Sequence, residues 1–266
     1  MQNPIKRVIV PIAHTGLNPR LAACAITVML MLVNALAPAH AAISTSSNEA
    51  SAFRGQLDRS TELLTIEGGT TSFLALQNRT LSADLLGGAV LLTNANSDWI
   101  DRTRELRTGL AIQGWDLMMA EPSFDNAENR LRAQLLIDRL REQGNGRILL
   151  IATGLQAANA ITLASTAPDI RLVLFNASSE TLALSDLEAQ MQTLGAAPTI
   201  ELYTRDTQLS EAAQRHKIAQ QMESETYSAR QLFGPLMSTS TLNRATSKQI
   251  LGAIKTLIIE SEQNAG

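Results

Sequence analysis

Nucleophilic hydrolysis on a protein scaffold needs a nucleophile on a rigid turn, a base within hydrogen-bond reach of it, and an acid that orients the base. The place to look for the nucleophile is the strand-like run Ile148-Leu149-Leu150-Ile151-Ala152, which passes directly into Thr153-Gly154-Leu155-Gln156 and an alanine-rich helical stretch. A serine on such a turn, in the pattern G-x-S-x-G, offers its hydroxyl at the end of a sheet. Here the five positions read Ala152, Thr153, Gly154, Leu155 and Gln156, so the nucleophile position carries no side chain. Gly154 keeps only the backbone tolerance that a strained turn requires, and the flanking positions are not glycine.

A base is equally hard to place. The interval Gly234–Ser247, before the final helical stretch, contains Ser238, Thr239, Ser240, Thr241, Asn243 and Arg244 but no histidine. His216 is the only histidine after residue 41; it falls within the helical stretch Ser210–Met222 and reads as a surface or boundary residue with nothing to activate. Asp206 follows the strand-like run Thr199–Tyr203, where an orienting acid would fall, but alone it reads as a relict acid or a turn residue. No catalytic set is therefore expected. Ser123 and Ser178 also follow strand-like runs and remain the nucleophiles that a divergent serine esterase would use.

Other chemistry is sparse. Glu121, Asp125 and Glu128 could form an acidic or metal-binding patch, but Asp125 and Glu128 also suit the start of a helix, which is the preferred reading, and no metal site is expected. Trp99 and Trp115 could stack a sugar ring, yet both sit at element boundaries with apolar partners, and core packing is preferred. No strand-like run is followed by G-x-G-x-x-G, and no G-x-x-x-x-G-K-[ST] occurs, so no cofactor is expected.

The elements that would position these residues alternate along the chain. Leu63–Ile66 and Thr71–Leu76, separated by Glu67-Gly68-Gly69-Thr70, read as an antiparallel hairpin. Strand-like runs at Gly88–Thr93, Trp115–Met119, Ile148–Ala152, Arg171–Phe175 and Thr199–Tyr203 then alternate with helical stretches, including Leu184–Leu194 and one beginning at Gln156. Tyr227–Phe233 is a short further run, and Ile250, Leu251, Ile254, Leu257 and Ile258 line one face of the last helix. Such alternation predicts a mostly parallel central sheet with helices on both faces. With a hairpin in front and no dinucleotide fingerprint, the α/β class narrows to an α/β-hydrolase-like architecture.

The 266 residues are 45% hydrophobic, 3% aromatic and 18% charged, with a net charge of −3 and one cysteine. That composition disfavours a disordered chain, a disulfide or zinc scaffold, and a nucleic-acid binder. Residues 1–41 stand apart. Lys6, Arg7 and Arg20 precede or border an apolar run from Leu21 to Leu36, and Pro38-Ala39-His40-Ala41 ends it in the manner of a cleaved secretory signal. Cleavage before Ala42 removes Cys24 and three positive charges, taking the net charge to about −6. Leu21-Ala22-Ala23-Cys24 is spelled like a lipidation box, but it precedes the apolar run instead of following it. The expected organisation is a signal over 1–41, a polar leader over 42–61 and one domain over 62–262, in the periplasm or secreted. Membrane contact is expected only through the uncleaved signal, and the expected partner is a small molecule or an envelope protein.

Glu67-Gly68-Gly69, Phe73-Leu74-Ala75-Leu76, Gly87 to Leu92, Asp98-Trp99, Leu106-Arg107 and Gly114-Trp115 occur in an order that resembles an uncharacterised exported bacterial family related to α/β-hydrolases. The block from Asp98-Trp99 to Gly114-Trp115 is its most specific part. The resemblance implies a fold without an established activity, and an elbow in which glycine often replaces serine. A non-catalytic protein acting in binding or as an envelope accessory is the leading expectation. A divergent serine esterase and a carbohydrate- or peptide-binding module are the alternatives.

Overall fold

The computed structural model describes residues 57–263 apart from 70, 97, 168, 179–188, 190, 191, 193, 195, 196, 205–208, 223–225, 233–241 and 243. The hairpin forms from β1 (Thr61–Gly68) and β2 (Thr71–Asn78), with Gly68 opposite Thr71 and Gly69 at φ +62° in the turn between them. Then follow β3 (Gly87–Leu92), α1 (Trp99–Ile112), β4 (Trp115–Ala120), α2 (Asn126–Glu142) and β5 (Ile148–Thr153). A single 3-10 turn over Gly154–Gln156 opens α3 (Ala157–Ser165), so the helix proper starts one residue later than the alanine-rich stretch predicts. The chain continues through β6 (Ile170–Phe175), β7 (Thr199–Thr204), α4 (Leu209–Gln221), β8 (Tyr227–Leu232) and α5 (Arg244–Gln263). Of the helical stretch expected over Leu184–Leu194, Ala189, Gln192 and Leu194 are described, and all three are helical.

The eight strands form one sheet in the order β1-β2-β4-β3-β5-β6-β7-β8. β1 and β2, and β2 and β4, pair antiparallel; the other pairs are parallel. Parallel strands need covering on both faces, and the period-2 alternation of side chains divides β5 accordingly. Ile148, Leu150 and Ala152 join the core under α2 and α3, while Leu149 and Ile151 join the core under α1 and α5. Every residue of β3 and β4 is buried, as expected for strands with no solvent face.

Local signals set the helix ends. Asp125 caps α2 by accepting from the backbone N–H of Ala127 at 2.8 Å, and Arg139 and Arg141 lie in its last turn, where the helix dipole favours cations. The 20-residue α5 carries the stripe of Ile250, Ile254, Leu257 and Ile258 into the core beside Leu106 and Leu110 of α1. Arg107, buried on the same helix, donates to Asn78 Oδ1 at 2.7 Å, Thr61 Oγ1 at 3.0 Å and the Ile100 carbonyl at 3.2 Å. Burial lowers its guanidinium to about 10, with Asp58 opposing the shift, so it remains charged at neutral pH.

Candidate functional site

The chain leaves β3 towards α1 on one face and leaves β5 towards α3 on the other. Divergence of adjacent parallel strands opens a crevice at their carboxyl ends, where open α/β sheets take ligands. The crevice here is a cavity of about 60 Å³. The loop after β3 contributes Thr93, Asn94 and Asn96; α1 contributes Trp99, Arg102 and Thr103; the end of β5 and the turn after it contribute Thr153 and Gly154. Phe175 and Leu242 complete the lining among the described residues.

Gly154 sits at the end of β5 with φ +54°, in the left-handed region. A Cβ placed on it would lie 2.7 Å from Asn94 Nδ2 and 3.5 Å from Asn94 Cγ. The Asn94 amide thus stands where the side chain of an elbow nucleophile would start. Around this point, Ala152 is fully buried, Thr153 half-buried, and Leu155 exposed. Gln156 is buried; its Oε1 accepts from Asn159 at 3.0 Å and its Nε2 donates to Asn126 Oδ1 at 3.5 Å, joining the turn to the start of α2.

The other residues singled out by type fall in different places. Ser178 lies beside the turn, with its backbone N–H donating to the Gly154 carbonyl at 3.2 Å. His216 is on α4, which packs on β7 and β8, and its Nε2 lies 3.2 Å from Gln220 Nε2. Asp206 and most of the interval Gly234–Ser247 lie outside the described residues. Trp99 and Trp115 are core residues, although the lining of the crevice includes Trp99.

The acidic cluster works as a helix start. The Ser123 hydroxyl donates to the Glu128 carboxylate, Glu128 pairs with Arg132 at 2.6 Å, and Arg132 also reaches the Glu121 carbonyl and lies 5.2 Å from the centre of the Phe73 ring. Among the described residues, no group of three or more histidine, cysteine or acidic side chains is placed to hold a metal ion. The Ser123 hydrogen bond, followed by Arg132, holds the Glu128 carboxyl below its ordinary value against the opposing effect of burial. A carboxylate of lowered basicity is a poor partner for activating Ser123. Ser123→Ala is expected to let the Glu128 pKa rise towards the usual glutamate range, as read by NMR titration of its side-chain carbon. An unchanged titration would assign the depression to Arg132 alone.

The residues that line the crevice from the β3 side are not distinguished by sequence alone, because amide and hydroxyl side chains directly after a strand suit any turn. The available signal was positional: a run of amide and hydroxyl side chains after the strand next to β5 lies opposite the elbow in any sheet of this order.

No family model and no curated protein matches the chain. Solved structures do match. The esterase domain of a Rhodothermus marinus protein aligns with TM-score 0.58 at 14% identity over 74% of this chain and 96% of its own. Est1E from Butyrivibrio proteoclasticus aligns with TM-score 0.59 at 7% identity, covering 76% of this chain and 99% of its own. A dienelactone hydrolase from Anabaena variabilis gives TM-score 0.53 at 14% identity, with 75% and 96% covered. At such identities the likeness concerns architecture and not chemistry. Strand order, hairpin and matched structures together assign the chain to the α/β-hydrolase fold.

Proposed function

We propose that this is an exported α/β-hydrolase-fold protein that binds a ligand at the β3–β5 crevice without hydrolysing it. The observation that carries the reading is the Asn94 amide lying where a side chain at Gly154 would start, at an elbow whose own residue carries no nucleophile. Among the described residues, His216 is the one histidine, and it belongs to α4, which packs on β7 and β8. Export is supported by the basic, apolar and small-residue order of positions 1–41. Among the described residues, no helix is long and apolar enough to cross a membrane. The block from Asp98-Trp99 to Gly114-Trp115 supports kinship with the uncharacterised exported family, and the partner is a small molecule or an envelope protein, not nucleic acid.

A divergent serine hydrolase is the second reading, because Ser178 lies beside the elbow. A fluorophosphonate probe and a panel of p-nitrophenyl esters separate the two. The expected result is neither labelling nor turnover above the buffer rate. Labelling that disappears in Ser178→Ala or Ser123→Ala would overturn the binding reading. Gly154→Ser is expected to stay inactive and to lose about 1–3 kcal/mol of stability, through left-handed strain and the approach to Asn94. Urea unfolding alongside the ester assay reads both effects.

A further inference from the structure

We infer that this chain associates with further copies of itself head to tail, the exposed Phe124 of one copy seating in an apolar cavity at the opposite end of the sheet in the next. Phe124, in the loop between β4 and α2, is 95% exposed. The loop that presents it is braced on both sides. Ser123 donates from its backbone N–H to Asn129 Oδ1 at 2.8 Å and accepts at its carbonyl from Asn129 Nδ2 at 2.7 Å, and Asn129 is itself buried. On the other side Asp125 caps α2. The backbone thus holds the ring out in water, and little of its freedom remains to be lost when a partner covers the ring. An exposed aromatic on a fixed loop is the residue type that anchors interfaces.

A cavity of about 350 Å³ lies at the other end of β4. Its accessible walls are Leu86, Gln113, and Lys255 and Ile259 of α5, over a floor of the core residues Trp115, Ile254 and Ile258. Of the eight large hydrophobic side chains exposed among the described residues, five gather here. Leu86 and Ile259 stand in the walls, Leu85 and Ile112 adjoin Leu86 and Gln113 in the chain, and the Leu81 N–H donates to the Ala111 carbonyl at 2.8 Å. Such clustering marks a surface that is covered in use. An apolar cavity of about 150 Å³ takes a benzene ring, so this one admits the Phe124 ring and part of the loop that carries it.

Charge selects the occupant. Glu128 pairs with Arg132, and on α5 Glu260 pairs with Arg230 and Glu262 with Arg147. Asp125, beside the ring, and Lys255, in the cavity wall, are exposed and make no ion pair among the described residues. Seating Phe124 carries the Asp125 carboxylate to the rim that holds Lys255, which complements both charges. The six residues of β4 separate the two features by about 20 Å, at about 3.3 Å per residue, so one copy does not fill its own cavity. Two copies therefore meet through different surfaces, and each pair leaves one Phe124 and one cavity unused. A contact of this kind continues into a ring or a filament.

The test is sedimentation velocity of the protein, purified as the cell processes it, from about 10 µM to about 1 mM, where small interfaces associate. The expected result is a concentration-dependent series of dimers and larger species. Phe124→Ala and Ile259→Glu, both at exposed positions, are each expected to weaken association about tenfold or more without changing circular dichroism. Mixed in equal amounts, the two variants are expected to recover a dimer and nothing larger, because the Phe124 of the Ile259→Glu chain meets the intact cavity of the Phe124→Ala chain. Asp125→Asn, which keeps a capping side chain on α2, is expected to weaken association about two- to fivefold. A parent protein that stays monomeric throughout the range leaves the cavity to a partner of another kind and overturns the inference. So does any of the three variants associating as well as the parent, or the folded mixture remaining dissociated.

Discussion

Arg215→Ala is expected to lower the unfolding free energy by about 3–5 kcal/mol, a large share of what a domain of this size possesses. Arg215 on α4 and Glu201 on β7 form an ion pair whose side chains are 2% and 0% exposed. The Arg215 Nε donates to both carboxylate oxygens, at 2.8 and 3.1 Å, its Nη2 donates to one of them, and the Tyr227 hydroxyl of β8 donates to the other. Truncating the arginine leaves a carboxylate inside the fold with a single phenol for company. The loss corresponds to roughly 6–20 °C in melting temperature for a chain of this length. Replacing both partners, as in Arg215→Met with Glu201→Leu, is expected to recover most of it, because desolvation offsets much of the attraction in the native pair. Equilibrium urea unfolding of the single and double variants checks both statements. A single variant within about 1 kcal/mol of the parent would show that water reaches the carboxylate.

The same cluster gives a pH signature. Burial, then the Glu201 charge, pushes the Tyr227 phenol well above its ordinary value. The folded chain therefore keeps this proton at pH values where the unfolded chain has released it. Stability from this group is complete below about pH 10, the ordinary tyrosine value, and declines as the pH rises beyond it. Tyr227→Phe should remove that decline, so the difference between the two proteins in urea midpoint ought to narrow as pH is raised past 10.

Gly87→Ala is the second substitution with a large expected effect, about 2–5 kcal/mol. Gly87 opens β3 with φ +150°, and a Cβ there would lie 2.4 Å from the Arg147 carbonyl oxygen and 3.1 Å from Trp115 Cζ3. That oxygen cannot step aside cheaply, since it accepts from the Gly88 N–H at 2.9 Å just before Gly88 pairs with Ile148. The methyl group therefore pries at the junction of β3 and β5, the strands that carry Asn94 and Gly154. Gly146→Ala is the matched control: its Cβ meets nothing within 4 Å and its φ is not positive, so it should be neutral or slightly stabilising. Equal losses in both variants would remove the steric explanation.

The fold was legible because its signals are periodic. Ile148–Ala152 is apolar on both faces, as a strand between two helical layers must be, and the α5 stripe repeats at helical spacing. The position of Gly154 on the turn was legible too, since it depends only on the strand before it and the helix after it. Asn94 was not, because its importance comes from lying across two strand ends that are 60 residues apart in the chain. A run of asparagines after a strand looks like any turn until the strand order is known. Glu201, Arg215 and Tyr227 were hidden for a similar reason: each is ordinary in its own element, and only the pairing of β7 with β8 beneath α4 brings them together. Asp125 and Glu128 lay between these cases, their helix-start role being local and therefore visible.

The Asn94 amide above Gly154 also bears on how this chain can change. On the binding reading, a serine introduced at 154 meets the amide, while clearing the amide with a smaller residue gains no catalysis because no nucleophile stands beneath it. Each step is useless or harmful unless the other has already occurred, and a base must still be supplied. On that reading the pair sets several changes, not one, between this crevice and hydrolysis: a nucleophile at 154, a displaced Asn94 amide and a base.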